Sequence, residues 1–264
     1  MFPVLVLALF GWVESTQPSI DPPIYRMTPQ QLHPMLPKWQ AEFSTLNQRV
    51  IAIARANLGQ PYELYLLGEA PFESIDNQPL FCLERSDCVV FVEHTLAMAL
   101  SDGFPQFLKM LQRIRYAGGE IGVRTRNHFT EADWNRNNRW LLREITDQIA
   151  GPSVAEFVQK VDRAGFFKAR YQIDVACPVE EIRESYVPWE KFDQVRSALR
   201  DGDVVNIVRG RGDRGWVGHV GFITIGPGGE VRMLHSASPQ VREEPISRYI
   251  ERATQDSVTG NDDG

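Results

Sequence analysis

The sequence predicts an α+β fold, with helices first and an antiparallel sheet after them. Three observations carry this reading. Apolar residues recur at threes and fours in successive stretches up to about residue 200, the period of an amphipathic helix. After the turn Leu199-Arg200-Asp201-Gly202-Asp203 the period becomes two, in 204–208, 217–225 and 231–236, which reads as a meander. Early in the chain, the polar pair Ser86-Asp87 precedes a cysteine that opens an apolar helix ended by Gly103.

The bulk numbers suit one large domain with sizeable insertions. The chain has 264 residues, 43% apolar and 23% charged, an ordinary globular balance. A net charge of −6 gives no electrostatic footprint for nucleic acid and argues against binding through anionic lipid. Residues 1–13 carry no charged side chain and are too few to span a bilayer, which needs roughly 20. They read as the core of a signal peptide over residues 1–18, so the mature chain is expected to be exported, periplasmic or secreted. No cysteine follows the apolar run, so no stable membrane anchor is expected.

Taken in order, Pro-rich residues 19–37 read as an extended lead-in, and 38–264 as the catalytic domain. Trp39, Phe43, Leu46, Val50 and Ile53 mark one helix over 38–57, stopped by Gly59 and turned at Pro61-Tyr62. Residues 62–81 have no period and read as a loop. The apolar helix after Cys88 comes next, and then 104–116 with Phe107, Leu108, Leu111 and Ile114 on one face. An insertion over about 101–200 reads as helical, with further segments at 138–150, 153–168 and 190–199. Within it lies the polar, aromatic stretch Arg124-Thr125-Arg126-Asn127-His128-Phe129 and Asp133-Trp134. The tripeptide Arg211-Gly212-Asp213 reads as part of a turn, not as an adhesion motif.

The three cysteines are Cys82, Cys88 and Cys177. In an oxidising compartment an odd count leaves one thiol unpaired, and a Cys82–Cys177 disulfide with Cys88 free is expected. No Cys-x-x-Cys pair supports a structural zinc. With Ser86 or Asp87 as N-cap, Cys88 sits in the first helical turn, where the macrodipole favours an anion and the thiol is expected to ionise readily.

On the strand 217–225, His219 is flanked by Gly218 and Gly221, and strand glycines mark a close approach. His235 lies on the next strand. A three-residue turn would set it directly opposite His219; a turn of four, 226–229, would put Ser236 there and send His235 to the other face. A turn of three or five, or a bulge, keeps both imidazoles on one face. Then a nucleophile on a helix N-terminus, a base on a strand and an orienting polar group on its neighbour would come together.

These residues resemble the NlpC/P60 papain-like cysteine peptidases. The matching pieces, in order, are Leu58-Gly59-Gln60-Pro61-Tyr62, Asp87-Cys88, Leu199-Arg200-Asp201-Gly202-Asp203-Val204, Gly218-His219-Val220-Gly221-Phe222 and Leu234-His235-Ser236-Ala237-Ser238. Asp87-Cys88-Val89-Val90-Phe91-Val92-Glu93, with Pro79-Leu80 and Arg126-Asn127-His128-Phe129 … Asp133-Trp134, is similar to the DUF1460 branch, associated with N-acetylmuramoyl-L-alanine amidase activity.

The resemblance implies a papain-like fold with Cys88 as nucleophile at a helix N-terminus, His219 as base and His235 as orienting residue. It further implies Tyr62 and Asp87 beside the thiol, Arg126, Asn127, His128, Asp133 and Trp134 walling the substrate cleft, and neither metal nor organic cofactor. The implied substrate is a muropeptide cut between N-acetylmuramic acid and L-alanine. Rival readings are a γ-D-glutamyl endopeptidase, a non-catalytic muropeptide-binding protein, and a metal site at Cys88, His219 and His235. Oligomeric state is not legible in the sequence.

Overall fold

A computed structural model describes residues 22–210 and 214–259. Residues 1–18, expected to be a signal peptide, and the Arg211-Gly212-Asp213 tripeptide lie outside the described residues. The helical part opens with α1 (Pro29–Leu32), α2 (Met35–Glu42) and α3 (Leu46–Arg55). The region expected to be an extended lead-in is therefore partly helical, because Thr28 and Gln31 form a capping box that starts α1. The single helix expected over 38–57 is broken at Phe43, and Thr45 with Gln48 caps a fresh start.

The central element is α4 (Cys88–Ala99), followed by α5 (Phe104–Arg115). Every residue of α4 from Val90 to Ala99 is buried, the mostly apolar ones and the polar Glu93, His94 and Thr95 alike, as in a helix enclosed by other elements. It packs on α3 and α5 on one side and on the sheet on the other.

The stretch expected to be a helical insertion holds less helix than the periodicity suggests. A π-turn at Thr130–Trp134 runs into α6 (Asn135–Asn137), then α7 (Thr146–Ala150), β1 (Ala155–Val161), α8 (Arg163–Tyr171), β2 (Glu180–Tyr186) and α9 (Phe192–Val195). The helix expected over 153–168 is half strand. β1 pairs antiparallel with β2, and Val161 and Ile182 bury against Ala132 and Phe129, so cross-strand packing overrides helical spacing.

The main sheet is β3 (Val204–Arg209), β4 (Trp216–Ile225), β5 (Val231–Ala237) and β6 (Gln240–Pro245), antiparallel in that order. The meander is as expected, with β6 added at its edge. A last helix, α10 (Ile246–Thr259), folds back on β5 and β6. β4 carries Phe222 against Phe91 of α4, ring centroids 5.8 Å apart, which fixes the cysteine helix to the histidine strand. Among the described residues no helix is long and apolar enough to cross a membrane.

Candidate active site

Cys88 is the first residue of α4, and Asp87 caps the helix by accepting the Val90 amide at 2.8 Å. Ser86 faces the other way, donating to Gln60 at 2.7 Å and lying 3.0 Å from the Ser236 hydroxyl, which ties this corner to β5. The Val220 amide, next in sequence to His219, reaches the Cys88 sulfur along with the amides of Val89 and Cys88 itself. The sulfur is thereby tied to the strand that carries the candidate base.

The expectation of an easily ionised thiol is overturned. Burial, then the Asp87 carboxylate, push the Cys88 thiol up to about 12 despite those amides. Tyr62 is half-buried beside it, its hydroxyl pushed up by burial and by Cys88 and Asp87. The Cys82–Cys177 disulfide is also not formed: all three cysteines are free thiols, and Cys82 packs against Leu66, Leu67 and Val90.

The histidines meet, by a route that differs from direct opposition. Ile225 pairs with Val231, leaving a five-residue turn at 226–230. Continued along the strands, that register sets Gly221 against His235 and places His219 diagonally, two residues further along the same face. Diagonal neighbours are within reach of ring side chains. His219 Nε2 lies 2.7 Å from His235 Nδ1, with the rings edge to face. Gly221 makes the space, since a Cβ there would stand 2.9 Å from His235 Cβ and 2.8 Å from Met233 Cε.

A fourth member escapes sequence reading. His235 Nε2 lies 3.0 Å from Glu244 Oε1 on β6, again a diagonal step, because Glu244 pairs with Met233 and not with His235. Arg242 and Arg252 both bond Glu244, and with His235 they hold its carboxyl well below the usual carboxylate range in spite of burial. Nothing in the sequence marks Glu244, the second of two adjacent glutamates in the polar segment Gln240–Pro245. Burial pushes His219 down to about 3, aided by His235 and Arg209, and pushes His235 down as well.

The donors and acceptors then fix the tautomers. An ionised Glu244 only accepts, so His235 carries its proton on Nε2 and offers Nδ1 as acceptor. His219 must donate to it from Nε2, which leaves the lone pair on His219 Nδ1. A neutral imidazole with one free lone pair, on the strand whose Val220 amide reaches the thiol, is able to accept a proton. His219 also stacks on Tyr249 of α10, centroids 5.3 Å apart and 18° from parallel.

The five residues of the 124–135 stretch make no polar contact with Cys88, His219 or His235. Arg126 bonds Leu67 O at 3.0 Å, Glu69 at 2.9 Å and Asp76 at 2.8 Å. Asn127 bonds Ile114 O, His128 bonds Val123 O, and Asp133 takes Arg163. Trp134 donates to Glu93, which is buried on α4 and paired with Arg115 at 3.0 Å. Of these side chains, Arg126 braces the 62–81 loop and Trp134 reaches α4. Arg126, Asn127, His128 and Asp133 line a small pocket of their own with Arg163 and Phe167. Among the described residues no three His, Cys, Asp or Glu are grouped to hold a metal ion.

The architecture is similar to that of solved proteins. A DUF1460 protein of Legionella pneumophila superposes with a TM-score of 0.75 at 20% identity, over 86% of this chain and 91% of its own. An N-acetylmuramoyl-L-alanine amidase of Bacteroides uniformis gives 0.59 at 20% identity, over 78% and 93%. A protein of Bacteroides fragilis described as a putative xylanase gives 0.55 at 20% identity, over 75% and 93%. No curated protein sequence matches the chain. The model of the AmiA-like, N-acetylmuramoyl-L-alanine amidase-like family matches residues 52–257, and the chain belongs to that family.

Proposed function

We propose that this protein is an exported cysteine amidase of the papain-like NlpC/P60 type, cutting the amide between N-acetylmuramic acid and L-alanine in muropeptides. The observation that carries the reading is the unbroken relay His219–His235–Glu244, with its one free lone pair on the residue next to the Cys88 sulfur's amide donor. Membership of the amidase-like family supports the substrate class. The apolar residues 1–13 support export.

In this mechanism Cys88 Sγ attacks the lactyl carbonyl while its proton passes to His219 Nδ1. The Cys88 backbone amide, which has no partner within the helix ladder, turns to the developing oxyanion. Imidazolium on His219 is stabilised through His235 by Glu244, then gives its proton to the departing L-alanine nitrogen. Water, deprotonated by His219, releases the thioester as the free muramyl acid. Neither metal nor organic cofactor takes part.

The test is a digest of defined muropeptides by wild type and Cys88→Ala, with products read by mass. An intact peptide beginning with L-Ala, absent from the Cys88→Ala digest, is the expected product. Release of L-Ala-D-Glu, free or sugar-linked, would make the protein a γ-D-glutamyl endopeptidase. Binding without cleavage by either protein would make it a muropeptide-binding module.

A further inference from the structure

The site contains a cation that the relay does not use. Arg209 ends β3, two residues after Ile207, which is the cross-strand partner of His219. Arg209 therefore shares the face of the sheet that carries the base. The ladder slips between Ile207 and Val208, and Gly218 occupies the slip. The stem of Arg209 lies over Gly218, where any Cβ would collide with Cδ and Cγ. The glycine that precedes the base is thus the floor under this arginine, a close approach of the kind strand glycines permit.

Where the guanidinium goes is read from what it acts on. Its charge reaches Tyr62 beside the thiol, His219, and the Tyr249 hydroxyl. Among the described residues no carboxylate stands within ion-pair distance of Arg209, in a chain whose other arginines near the site, Arg242 and Arg252, are both spent on Glu244. Tyr249 adds an independent observation. It is 7% exposed, its ring is stacked on His219, and its hydroxyl meets the Arg209 guanidinium. A cation and a hydroxyl side by side match one ligand type, an anionic oxygen pair.

We propose that Arg209 and Tyr249 form a carboxylate clamp that recognises the stem peptide on the leaving-group side of the scissile amide. This rests on the amidase reading above. In a γ-linked stem, the first carboxylate past the bond cut is the α-carboxylate of D-glutamate, one residue beyond L-alanine. The guanidinium fork takes it bidentately and the tyrosine hydroxyl donates to one of its oxygens. The clamp makes a free acid at that position a specificity requirement, and amidation of that carboxylate a block.

The experiment uses two N-acetylmuramoyl tripeptides that differ only in whether the D-glutamate α-carboxylate is free or amidated. For wild type the free acid is favoured about 10- to 100-fold in kcat/KM, with the difference in KM, the size expected of a charge-assisted pair. Arg209→Met brings that ratio to near 1, Arg209→Lys restores part of it, and Tyr249→Phe reduces it severalfold. A wild-type ratio near 1, or an Arg209→Met variant that keeps the wild-type ratio, overturns the clamp. Calorimetric titration of Cys88→Ala and of Cys88→Ala with Arg209→Met by the same two ligands reads the preference without turnover. A wild type that cuts neither peptide but whose Cys88→Ala form binds the acid through Arg209 would retain the clamp and overturn the amidase; equal binding of both ligands would overturn the clamp.

Discussion

Glu244 and His235 stand 3.0 Å apart on neighbouring strands, and that contact decides which nitrogen of a third residue is basic. The carboxylate takes the Nε2 proton of His235, His235 takes that of His219, and only His219 Nδ1 is left for the thiol. Glu244→Gln removes the negative charge that raises His219's proton affinity. We expect kcat to fall about 10- to 100-fold with KM little changed, and the acid limb of the kcat profile to move to lower pH. His235→Asn, whose carbonyl still accepts from His219, should retain more activity than His235→Ala. Equal loss in the two His235 variants would speak against the relay.

The thiol gives a second expectation. With Cys88 pushed up to about 12 and His219 down to about 3, the resting pair is neutral. Alkylation of Cys88 by iodoacetamide, followed by mass on its peptide, should be slower at pH 7 than for a free cysteine, whose pKa is about 8.5, and should climb through pH 10. A rapid plateau between pH 5 and 7 would mean a preformed thiolate–imidazolium pair instead.

Gly221 offers a steric test. Alanine there meets Met233 Cε at 2.8 Å, His235 Cβ at 2.9 Å and the Leu234 carbonyl at 3.0 Å, and the carbonyl cannot yield. Gly221→Ala should cost about 1–3 kcal/mol in urea unfolding and more than about 100-fold in kcat, since His235 is driven off its 2.7 Å bond. Gly228→Ala serves as a comparison: its φ of +72° brings turn strain, but no atom lies within 4 Å, so only stability should suffer.

Acid lability follows from the buried histidines. His94 is held at about 3 by burial and then by Arg115, while in the unfolded chain a histidine titrates near 6.5. Between those pH values the unfolded state binds the extra proton, so stability rises with pH and is lost as pH falls below about 6.5. At pH 5 one such group costs about 2 kcal/mol. The buried carboxylates Glu69 and Glu93, whose pKa values are raised, act in the opposite sense, so the test must isolate one group. His94→Gln, able to keep the acceptor for the Cys82 amide, should show a smaller drop in Tm between pH 7 and 5 than wild type. An unchanged pH slope would mean that His94 is protonated in the native state.

What the residues by themselves determined is local. A polar N-cap, a cysteine and a mostly apolar run make a buried helix with the thiol at its start, and the period of two after Gly202 makes a sheet. Both hold in the structure, as do the helix over Phe104–Arg115 and the loop at 62–81. What the tertiary structure decided is everything that depends on register and on competing neighbours. One turn residue more or less at 226–230 moves a histidine to the other face, and the five-residue turn made the contact diagonal. Glu244 enters the relay only because β6 adds to the edge and α10 returns Arg252 over it. The side chains of Arg126, Asn127 and Trp134 were legible as a polar cluster, yet their partners lie 13 to 59 residues away in the chain, so only packing assigns them to bracing. The thiol shows the same division most sharply. Helix position alone favours its ionisation, and the dry, acidic setting that the fold builds around it reverses the sign.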